Sequence, residues 1–571
     1  MPSLHTCLII VFGALLMIAG DPRSMKYDVV TFSHTNWSFA PSDTNDVNRL
    51  LAEADDARKS DLRKSYRIAV EALRLAEAQS FKRGEARAQA SAGWALLLQG
   101  EPETVTKHFE SAMELSETYA EGKTRVSALL GLAELAFRDG KYRRMNILFE
   151  QAMHIARDMN DEVSIATALM NRAIVRMKRG VTYSGVDQNQ ADFEQCYHLF
   201  SKNGHTRGMA RALWGKANSI PGKNYIERRD SLLKRSEQLA TISGDRWQLA
   251  YIHLHRAYVE RAKGNIKMVI PLLTEVVKEA KTLGDSYLEG VAVSSIAHNE
   301  PYKHIDRKQT LYEQSLEASQ RIGDRLRSAN LNYFIGTTYG LRQEYETASL
   351  YIRRTVDLAR EFGDSTFTSY QLRRFALNCE KREKWDSARI LYNEAKLVAN
   401  PIRHPIAHVT ACFTLGQMEY KLGNYPAALV QFSEAIEKLG PSNNTHHHGA
   451  AYLVIGDVYT VMDNWEKAIA SYKIALAIER KIGILDNVIP PMNNLGLALL
   501  KRARATASIS DRKEALAIFQ ELFDLSKKTN TYDGSLALMN IGYALMELDR
   551  TEEAMPYLRR AMASYQEQKD E

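Results

Sequence analysis

Small residues recur at a fixed interval along this chain, and that interval constrains the fold more than any single motif does. Two series of small residues have a spacing of 40: Gly93, Ala133 and Ala173, then Gly336, Ala376, Gly416, Gly456 and Gly496. A period sustained over much of a 571-residue chain indicates one structural unit stacked repeatedly on itself.

The clearest unit is Val409–Leu439, which reads as two amphipathic helices joined by a tight turn at residues 423–426. Apolar residues recur three and four positions apart in each half, which is the helical period. Gly440, followed by a proline, ends the second helix. Neither helix can bury its apolar stripe alone, so the pattern predicts hairpins that stack on one another.

The unit resembles the tetratricopeptide repeat (TPR), in which a Leu-Gly pair and a Tyr precede an Ala, an aromatic residue and a second Ala. The matching positions in three units are Leu415, Gly416, Ala428, Phe432 and Ala435; Tyr452, Ile455, Gly456, Tyr459, Ala468, Tyr472 and Ala475; and Ile541, Gly542, Leu545, Ala554 and Ala561. The ordinary TPR period is 34 residues, so each unit here has about six extra. This long form is similar to the repeats of kinesin light chains, Leu-Gly-Asn-type polarity adaptors and bacterial regulator TPR modules.

The resemblance covers roughly residues 45–571. It implies an all-α fold, a right-handed superhelical solenoid of about 12 to 13 antiparallel helix hairpins. We predict that residues 45–172 and 328–571 are regular parts of this TPR-like array, whereas residues 173–310 keep the period but lose the motif. Either those repeats have drifted, or the segment forms a bend or a docking site.

Residues 1–20 are predicted to be a signal peptide and residues 21–44 an extended arm. The apolar run 7–20 is too short for a stable membrane span but fits the central region of a secretory signal. We therefore predict export, to the periplasm or the medium. Because the first six residues lack Lys and Arg, the alternative is a cytoplasmic product that starts at Met25. The N-terminal residue of the natively produced protein distinguishes the two.

The composition argues against several classes of function. A net charge of +6 is too small to indicate a nucleic-acid partner. The four cysteines have no paired spacing, and no catalytic motif of the common hydrolase, nucleotide-binding or zinc-peptidase types is present. Residues 446–448 are three histidines in an expected interhelical loop without fixed partners. We therefore predict no enzyme, no catalytic residue, no cofactor and no metal site.

The first helices of a TPR array line its concave face, and helix neighbours on one face are three and four residues apart. The predicted inner-face residues of the central repeats are Tyr333, Thr337, Tyr370, Arg373, Arg374, Phe413, Gln417, Tyr420 and Lys421. Aromatic and Arg side chains are typical anchors for peptides. The alternative is that they are merely a packed inner wall. In long-period TPR proteins an Asn two positions before the small residue binds a peptide backbone, and the resemblance assigns this role to Asn494 and Asn540.

The predicted function is a non-catalytic scaffold or adaptor that binds protein or peptide segments on the concave face. The alternative is the sensory or regulatory input module of a bacterial signalling system, truncated or split from its histidine kinase or transcription regulator. We expect an acidic and apolar ligand near Arg373 and Lys421, and we expect Arg373 and Tyr420 to face solvent. Seven extra residues near Lys501–Asp511 predict a protruding basic turn.

Overall fold

The computed structural model describes residues 44–100, 102–179, 184–220, 226–440, 446–527 and 534–570. Within these ranges the chain forms 26 α-helices, one short 3-10 helix and no strand. Consecutive helices pair as 13 antiparallel hairpins, which confirms the predicted all-α solenoid. We number the helices α1 to α26 in chain order, so that hairpin 1 contains α1 and α2.

Hairpins 1 to 4 are α1 (Thr44–Ala57), α2 (Leu62–Ala78), α3 (Lys82–Leu96), α4 (Pro102–Thr118), α5 (Gly122–Arg138), α6 (Tyr142–Asp158), α7 (Glu162–Arg179) and α8 (Ser184–Lys202). Hairpins 5 to 8 are α9 (Thr206–Asn218), α10 (Ile226–Ile242), α11 (Arg246–Ala262), α12 (Ile266–Leu283), α13 (Ser286–Asn299), α14 (Ile305–Arg321), α15 (Arg325–Leu341) and α16 (Tyr345–Glu361). Hairpins 9 to 13 are α17 (Ser365–Lys381), α18 (Trp385–Val398), α19 (Pro405–Lys421), α20 (Tyr425–Leu439), α21 (His446–Val461), α22 (Trp465–Ile482), α23 (Leu485–Thr506), α24 (Ile509–Ser526), α25 (Ser535–Glu547) and α26 (Thr551–Asp570).

A Gly-Asp pair joins several hairpins to the next. Gly284 and Gly323 have positive φ values of 77° and 66°, a left-handed conformation that favours glycine at the end of a helix. The following residues, Asp285 and Asp324, cap the next helix by accepting a hydrogen bond from the backbone N–H three residues later. These pairs therefore set the sharp reversal between hairpins.

The small residues of the 40-residue series lie where the two helices of a hairpin cross most closely. A Cβ atom on Gly416 would stand 2.7 Å from Cε1 of Phe432, and one on Gly496 would stand 2.5 Å from Cζ of Phe519. The aromatic ring of the second helix thus fills the space that the missing side chain leaves. First helices of neighbouring hairpins also contact one another along much of the chain, which places them on the concave side.

The superhelix closes on itself at its N-terminal end. The backbone N–H of Trp247 donates to the carbonyl oxygen of Lys59 at 2.8 Å, and that of Ser286 donates to Leu98 at 2.9 Å. Arg325 donates from Nη1 to Oδ1 of Asp139 at 3.0 Å. Hairpins 1, 2 and 3 therefore meet hairpins 6, 7 and 8, and one superhelical turn takes five hairpins. We call hairpins 1–8, residues 44–361, the closed turn.

These contacts join helix ends of opposite polarity. Lys59, Leu98 and Asp139 follow the C-termini of α1, α3 and α5, whereas their partners lie in the first turns of α11, α13 and α15. Free carbonyl groups and free N–H groups at helix ends carry opposite partial charges, so the two backbone hydrogen bonds satisfy both and are electrostatically favourable. The third contact, Arg325 with Asp139, is an ion pair between side chains. In the same region, Gly323 packs closely against Pro102 and Gly140 packs closely against Phe362.

Hairpins 9–13, residues 365–570, form what we call the open arm. Among its described residues, hydrogen bonds and ion pairs stay within a hairpin or reach the neighbouring one, as in Lys421–Glu380 and Arg480–Glu521. Within the described part of the arm, none of these bonds ties it to another turn of the superhelix.

Two local predictions are wrong. The residues around Lys501–Asp511 extend the helix α23 to Thr506 instead of forming a protruding turn, because Arg502 pairs with Asp511 and Arg504 with Glu547. The three histidines at 446–448 are not in a loop but begin α21, and His448 is buried.

The predicted signal peptide and almost all of the predicted arm lie outside the described residues, and export stays a prediction. Among the helices of the described ranges, none combines the length and the hydropathy that a bilayer crossing requires.

The first prediction tests the close crossing at Gly416. Gly416→Ala should lower the thermal unfolding midpoint relative to Gly340→Ala, because overpacking costs typically about 1–3 kcal/mol. Gly340 is a matched control in α15, where a Cβ would meet nothing nearer than Nδ2 of Asn378 at 3.6 Å. Both variants gain the same helix propensity, so the difference between them isolates the steric term. Equal midpoints would contradict the packing.

A second prediction tests the closed turn. The bond between Ser286 N–H and the Leu98 carbonyl brings two residues 188 positions apart into backbone contact. The double variant Leu98→Cys/Ser286→Cys should form a disulfide under mild oxidation, seen as a reducible mobility shift on a denaturing gel. Each single variant serves as the control. Failure of the double variant to cross-link would show that the superhelix is open at this point.

Candidate functional site

Three of the predicted inner-face residues and one sequence neighbour form a cluster on the first helices α15 and α17. We call Tyr333, Phe334, Tyr370 and Arg374 the inner aromatic cluster. Cζ of Arg374 lies 3.1 Å from the centroid of the Tyr333 ring and 5.1 Å from that of Tyr370. Aromatic faces attract a guanidinium and hold its plane in a fixed orientation. Tyr370 is 44% exposed, so one side of the cluster faces solvent.

Arg373 lies beside this cluster but does not face solvent as predicted. Its Nε is buried and has no hydrogen-bond partner among the described residues. Burial lowers the pKa of its guanidinium. Arg373 is half-buried, so an acidic substitution here would place a charge where contact with water is limited, and we expect Arg373→Glu to lower stability.

The aromatic residues of α19 belong partly to the core. The Phe413 ring centroid is 5.4 Å from that of Phe432, and the Tyr420 centroid is 5.8 Å from that of Tyr425, both on the second helix α20. Tyr420 is half-buried, and burial raises the pKa of its hydroxyl, which corrects the prediction that it faces solvent. Gln417, between the two, is exposed.

The charge of Lys421 is compensated. Its Nζ lies 3.0 Å from Oε2 of Glu380, a buried carboxylate that also accepts a hydrogen bond from the Tyr392 hydroxyl. Thr337 donates its hydroxyl to the backbone carbonyl of Tyr333 at 2.9 Å. Among the described residues Arg374 has no acidic partner, and its Nη1 donates to Oε1 of Gln371 at 3.5 Å. Arg374 is therefore the cation that the inner aromatic cluster presents.

The two predicted asparagines take part in a chain of hydrogen bonds across hairpins 11–13. Nδ2 of Asn540 donates to Asn493 at 2.7 Å, Asn493 donates to Asn494 at 3.2 Å, and Asn494 donates to Asp457 at 2.9 Å. The Tyr472 hydroxyl also donates to Asp457. These amides link neighbouring first helices, and their role in binding a peptide stays a prediction.

A cluster that the sequence analysis missed lies inside the closed turn. We call Glu134, Arg138, Lys178 and Asp324 the buried ionic cluster. Oε1 of Glu134 lies 2.9 Å from Nζ of Lys178 and 3.2 Å from Nε of Arg138. Arg138 is only 1% exposed and also donates to the carbonyl oxygen of Leu97 at 2.8 Å. Glu134 stands one position after the small residue Ala133, as the predicted inner-face residue Thr337 stands after Gly336, so the same spacing applied to hairpin 3 would have found it.

The buried cations determine how these carboxyl groups ionise. Burial by itself raises the pKa of Glu134, but Lys178 and Arg138 together outweigh it and lower the pKa to about 2. Burial raises the pKa of Asp324, and Arg138 offsets that only in part. Nζ of Lys178 also lies 4.6 Å from the centroid of the Tyr287 ring. The charged groups of the buried ionic cluster are therefore stabilised mainly by one another and by the face of the Tyr287 ring.

A cavity of about 180 Å³ lies beside the buried ionic cluster. Its walls include Lys178, Asp324 and Arg327, and the hairpins 3, 4, 7 and 8 all contribute to it. Phe334 also lines it. Because Phe334 belongs to the inner aromatic cluster, the cavity and that cluster adjoin at the point where the closed turn ends.

Family models match two parts of the chain. Residues 536–567 match the model described as "Tetratricopeptide repeat". The chain is a TPR-like helical repeat protein. Residues 102–179 and 302–382 of the TPR-like array also match the model described as "Anaphase-promoting complex subunit 5".

Several solved structures are similar to parts of the array, whereas no curated protein matches the chain. BtubC (BKLC) from P. vanneervenii has 16% identity and a TM-score of 0.34, with 38% of this chain and 88% of that chain covered. The apo form of RapI has 12% identity and a TM-score of 0.42, with 64% and 100% covered. The apo form of the quorum sensor NprR from B. thuringiensis has 13% identity and a TM-score of 0.39, with 72% and 99% covered.

A third prediction concerns the pH dependence of stability. The folded pKa of Glu134, about 2, lies below its ordinary value of 4.5. The ionised carboxylate therefore stabilises the fold at neutral pH, by up to about 3 kcal/mol, and this contribution is lost as the pH falls from about 5 towards 2. Glu134→Gln should lower the unfolding midpoint at pH 7, and the deficit should shrink in acid.

The matched control is Glu275→Gln, which removes an exposed carboxylate paired with Lys278. Surface pairs contribute little, so its midpoint should follow the unmodified protein at every pH. A deficit of Glu134→Gln that stays constant between pH 7 and pH 3 would mean that the substitution acts through packing and not through charge.

Proposed function

We propose that this TPR-like array is a non-catalytic scaffold that binds an extended segment of a partner protein on the inner face of the open arm. One observation carries the proposal: the inner aromatic cluster presents an exposed Tyr370 beside Arg374, stacked at 3.1 Å on Tyr333, where the closed turn ends. Exposed aromatic and Arg side chains held by their neighbours provide binding area at a low cost in conformational entropy.

The inner face of the closed turn is a poorer candidate for such a ligand; a larger pocket of that turn, of about 380 Å³, lies between α12, α13 and α14. The inner face carries the buried ionic cluster, and the adjoining cavity of about 180 Å³ is below the roughly 300 Å³ at which ligand pockets begin. A peptide segment is larger still. In the open arm, by contrast, the hydrogen bonds and ion pairs of the described residues reach no further than the neighbouring hairpin.

The composition of the inner face indicates what the partner segment carries. An aromatic or aliphatic side chain suits Tyr370, and a carboxylate suits Arg374, which has no acidic partner in the part of the chain that the structure describes. Thr337 and the exposed Gln417 offer polar atoms along the same face. Phe413, Tyr420, Lys421 and Asn494 extend the same face, whereas Asn540 is buried and Arg373 is half-buried beside the cluster. We therefore keep the predicted acidic and apolar ligand, with Arg374 as its main positive contact.

The fourth prediction tests this surface. Partners are captured with the full chain from an extract of the source cells and identified by mass spectrometry, and the affinity of the purified partner is then measured. Tyr370→Ala and Arg374→Glu should each weaken binding by about 10-fold or more, because a hot-spot truncation costs roughly 2 kcal/mol. Far-UV circular dichroism should show unchanged helix content.

The control is Arg353→Glu, which makes the same change of charge at an exposed position of the second helix α16. It should leave the affinity unchanged. If Arg353→Glu weakens binding as much as Arg374→Glu does, the effect is one of overall charge. If all three variants bind as tightly as the unmodified chain, the binding surface lies elsewhere.

A further inference from the structure

Three side chains with metal-binding atoms meet in the interior of hairpin 10, between its two helices. His408 and Cys412 lie one helical turn apart on α19, and Glu434 reaches them from α20. One ligand atom from each side chain lies within 4.8 Å of the other two. His408 and Cys412 are buried, and within the part of the chain that the structure describes this is the single group of three such residues.

The orientation of the His408 ring is fixed by two backbone carbonyl groups. Nδ1 lies 2.9 Å from the carbonyl oxygen of Ala399 and 3.2 Å from that of Lys396. Carbonyl oxygens only accept, so Nδ1 carries a proton and donates it. In the neutral ring Nε2 then has a lone pair, and it points at Oε1 of Glu434 at 3.0 Å. Two acceptors face each other unless a proton or a cation lies between them.

The surroundings match those of a metal ligand set. A metal-bound histidine commonly donates its other N–H to a carbonyl oxygen, which is what Nδ1 of His408 does. The second oxygen of Glu434, Oε2, lies 3.0 Å from Nζ of Lys396, so it is oriented by a hydrogen bond as well. The Glu434 side chain is 27% exposed, which leaves a route from solvent to the three ligand atoms.

We propose that His408, Cys412 and Glu434 bind a Zn²⁺ ion that bridges the two helices of hairpin 10. Nε2, Sγ and one carboxylate oxygen supply three ligands, and a water molecule completes the tetrahedron. The thiol proton of Cys412 leaves to solvent as the sulfur–metal bond forms, and no oxidation state changes. A mixed sulfur, nitrogen and oxygen set suits a borderline-soft ion, whereas Mg²⁺ and Ca²⁺ prefer oxygen alone.

Without an ion, the same residues can satisfy one another. A doubly protonated His408 would donate to Glu434, which also accepts from Lys396. The two states differ in whether a metal or a proton lies between Nε2 and the carboxylate, so the experiment has to detect the metal–sulfur bond itself. Co²⁺ replaces Zn²⁺ in such sites and is visible through its absorption.

The full chain is stripped with a chelator and titrated first with Co²⁺ and then with Zn²⁺. We expect one equivalent of Co²⁺ to bind and to give a near-ultraviolet sulfur-to-metal charge-transfer band, which an equivalent of Zn²⁺ then removes. Zn²⁺ should also raise the thermal unfolding midpoint. Absence of the band at one equivalent, or absence of Zn²⁺ binding by equilibrium dialysis, overturns the proposal.

Matched variants assign the band to these residues. Cys412→Ser should abolish it and weaken Zn²⁺ binding at least about 10-fold, whereas Cys379→Ser removes a buried thiol of α17 and should leave both unchanged. Glu434→Gln gives a second route if Cys412→Ser fails to fold, and it should weaken Zn²⁺ binding without removing the thiol. A band that persists in Cys412→Ser, or binding lost instead on replacing His446, His447 and His448, overturns the assignment.

Discussion

Three contacts between residues far apart in sequence set the shape of this molecule. Trp247, Ser286 and Arg325 stand at or near the starts of first helices, and they bind the chain at Lys59, Leu98 and Asp139, just past the ends of first helices five hairpins earlier. An array of helical repeats ordinarily depends on neighbours alone, and its stability is close to a sum of nearest-neighbour terms. Here two pairs of helix ends that water would otherwise solvate satisfy each other through backbone hydrogen bonds, and together with the Arg325–Asp139 ion pair they tie two successive turns together.

Because of that closure, the concave surface is buried in one part of the molecule and exposed in the other. In the closed turn, inner side chains from hairpins 3, 4, 7 and 8 converge, so charged groups such as Glu134 and Arg138 are removed from water and must pair. In the open arm the first helices have neighbours only to either side. Aromatic residues there keep one face available, as the exposed Tyr370 shows. The same repeat thus serves as packing in one half and as accessible surface in the other.

The periodicity predicted what is local. The 40-residue spacing and the contact of a small residue with an aromatic ring are decided within one hairpin, as Gly416 against Phe432 shows. Closure joins residues 188 apart, and no local pattern encodes it. Arg373 was expected to face solvent because it lies three positions before the small residue Ala376, a spacing that predicts the inner face. Whether a residue on that face is exposed, however, depends on how tightly the next hairpin packs against it. The meeting of His408 and Cys412 with Glu434 likewise depends on the side-chain directions of two helices.

The long reach of the closing contacts also shapes how the chain acquires its structure during synthesis. Hairpins 1–3 can stack as soon as they emerge, because their own contacts are between neighbours. Lys59 and Leu98, however, must wait for partners that are 188 residues further along the chain. At roughly 5–20 residues per second, that interval is about 10–40 s, much longer than helix formation itself takes. Contacts of such high sequence separation slow folding, so the open helix ends of the first three hairpins are a feature of the nascent chain that the finished protein conceals.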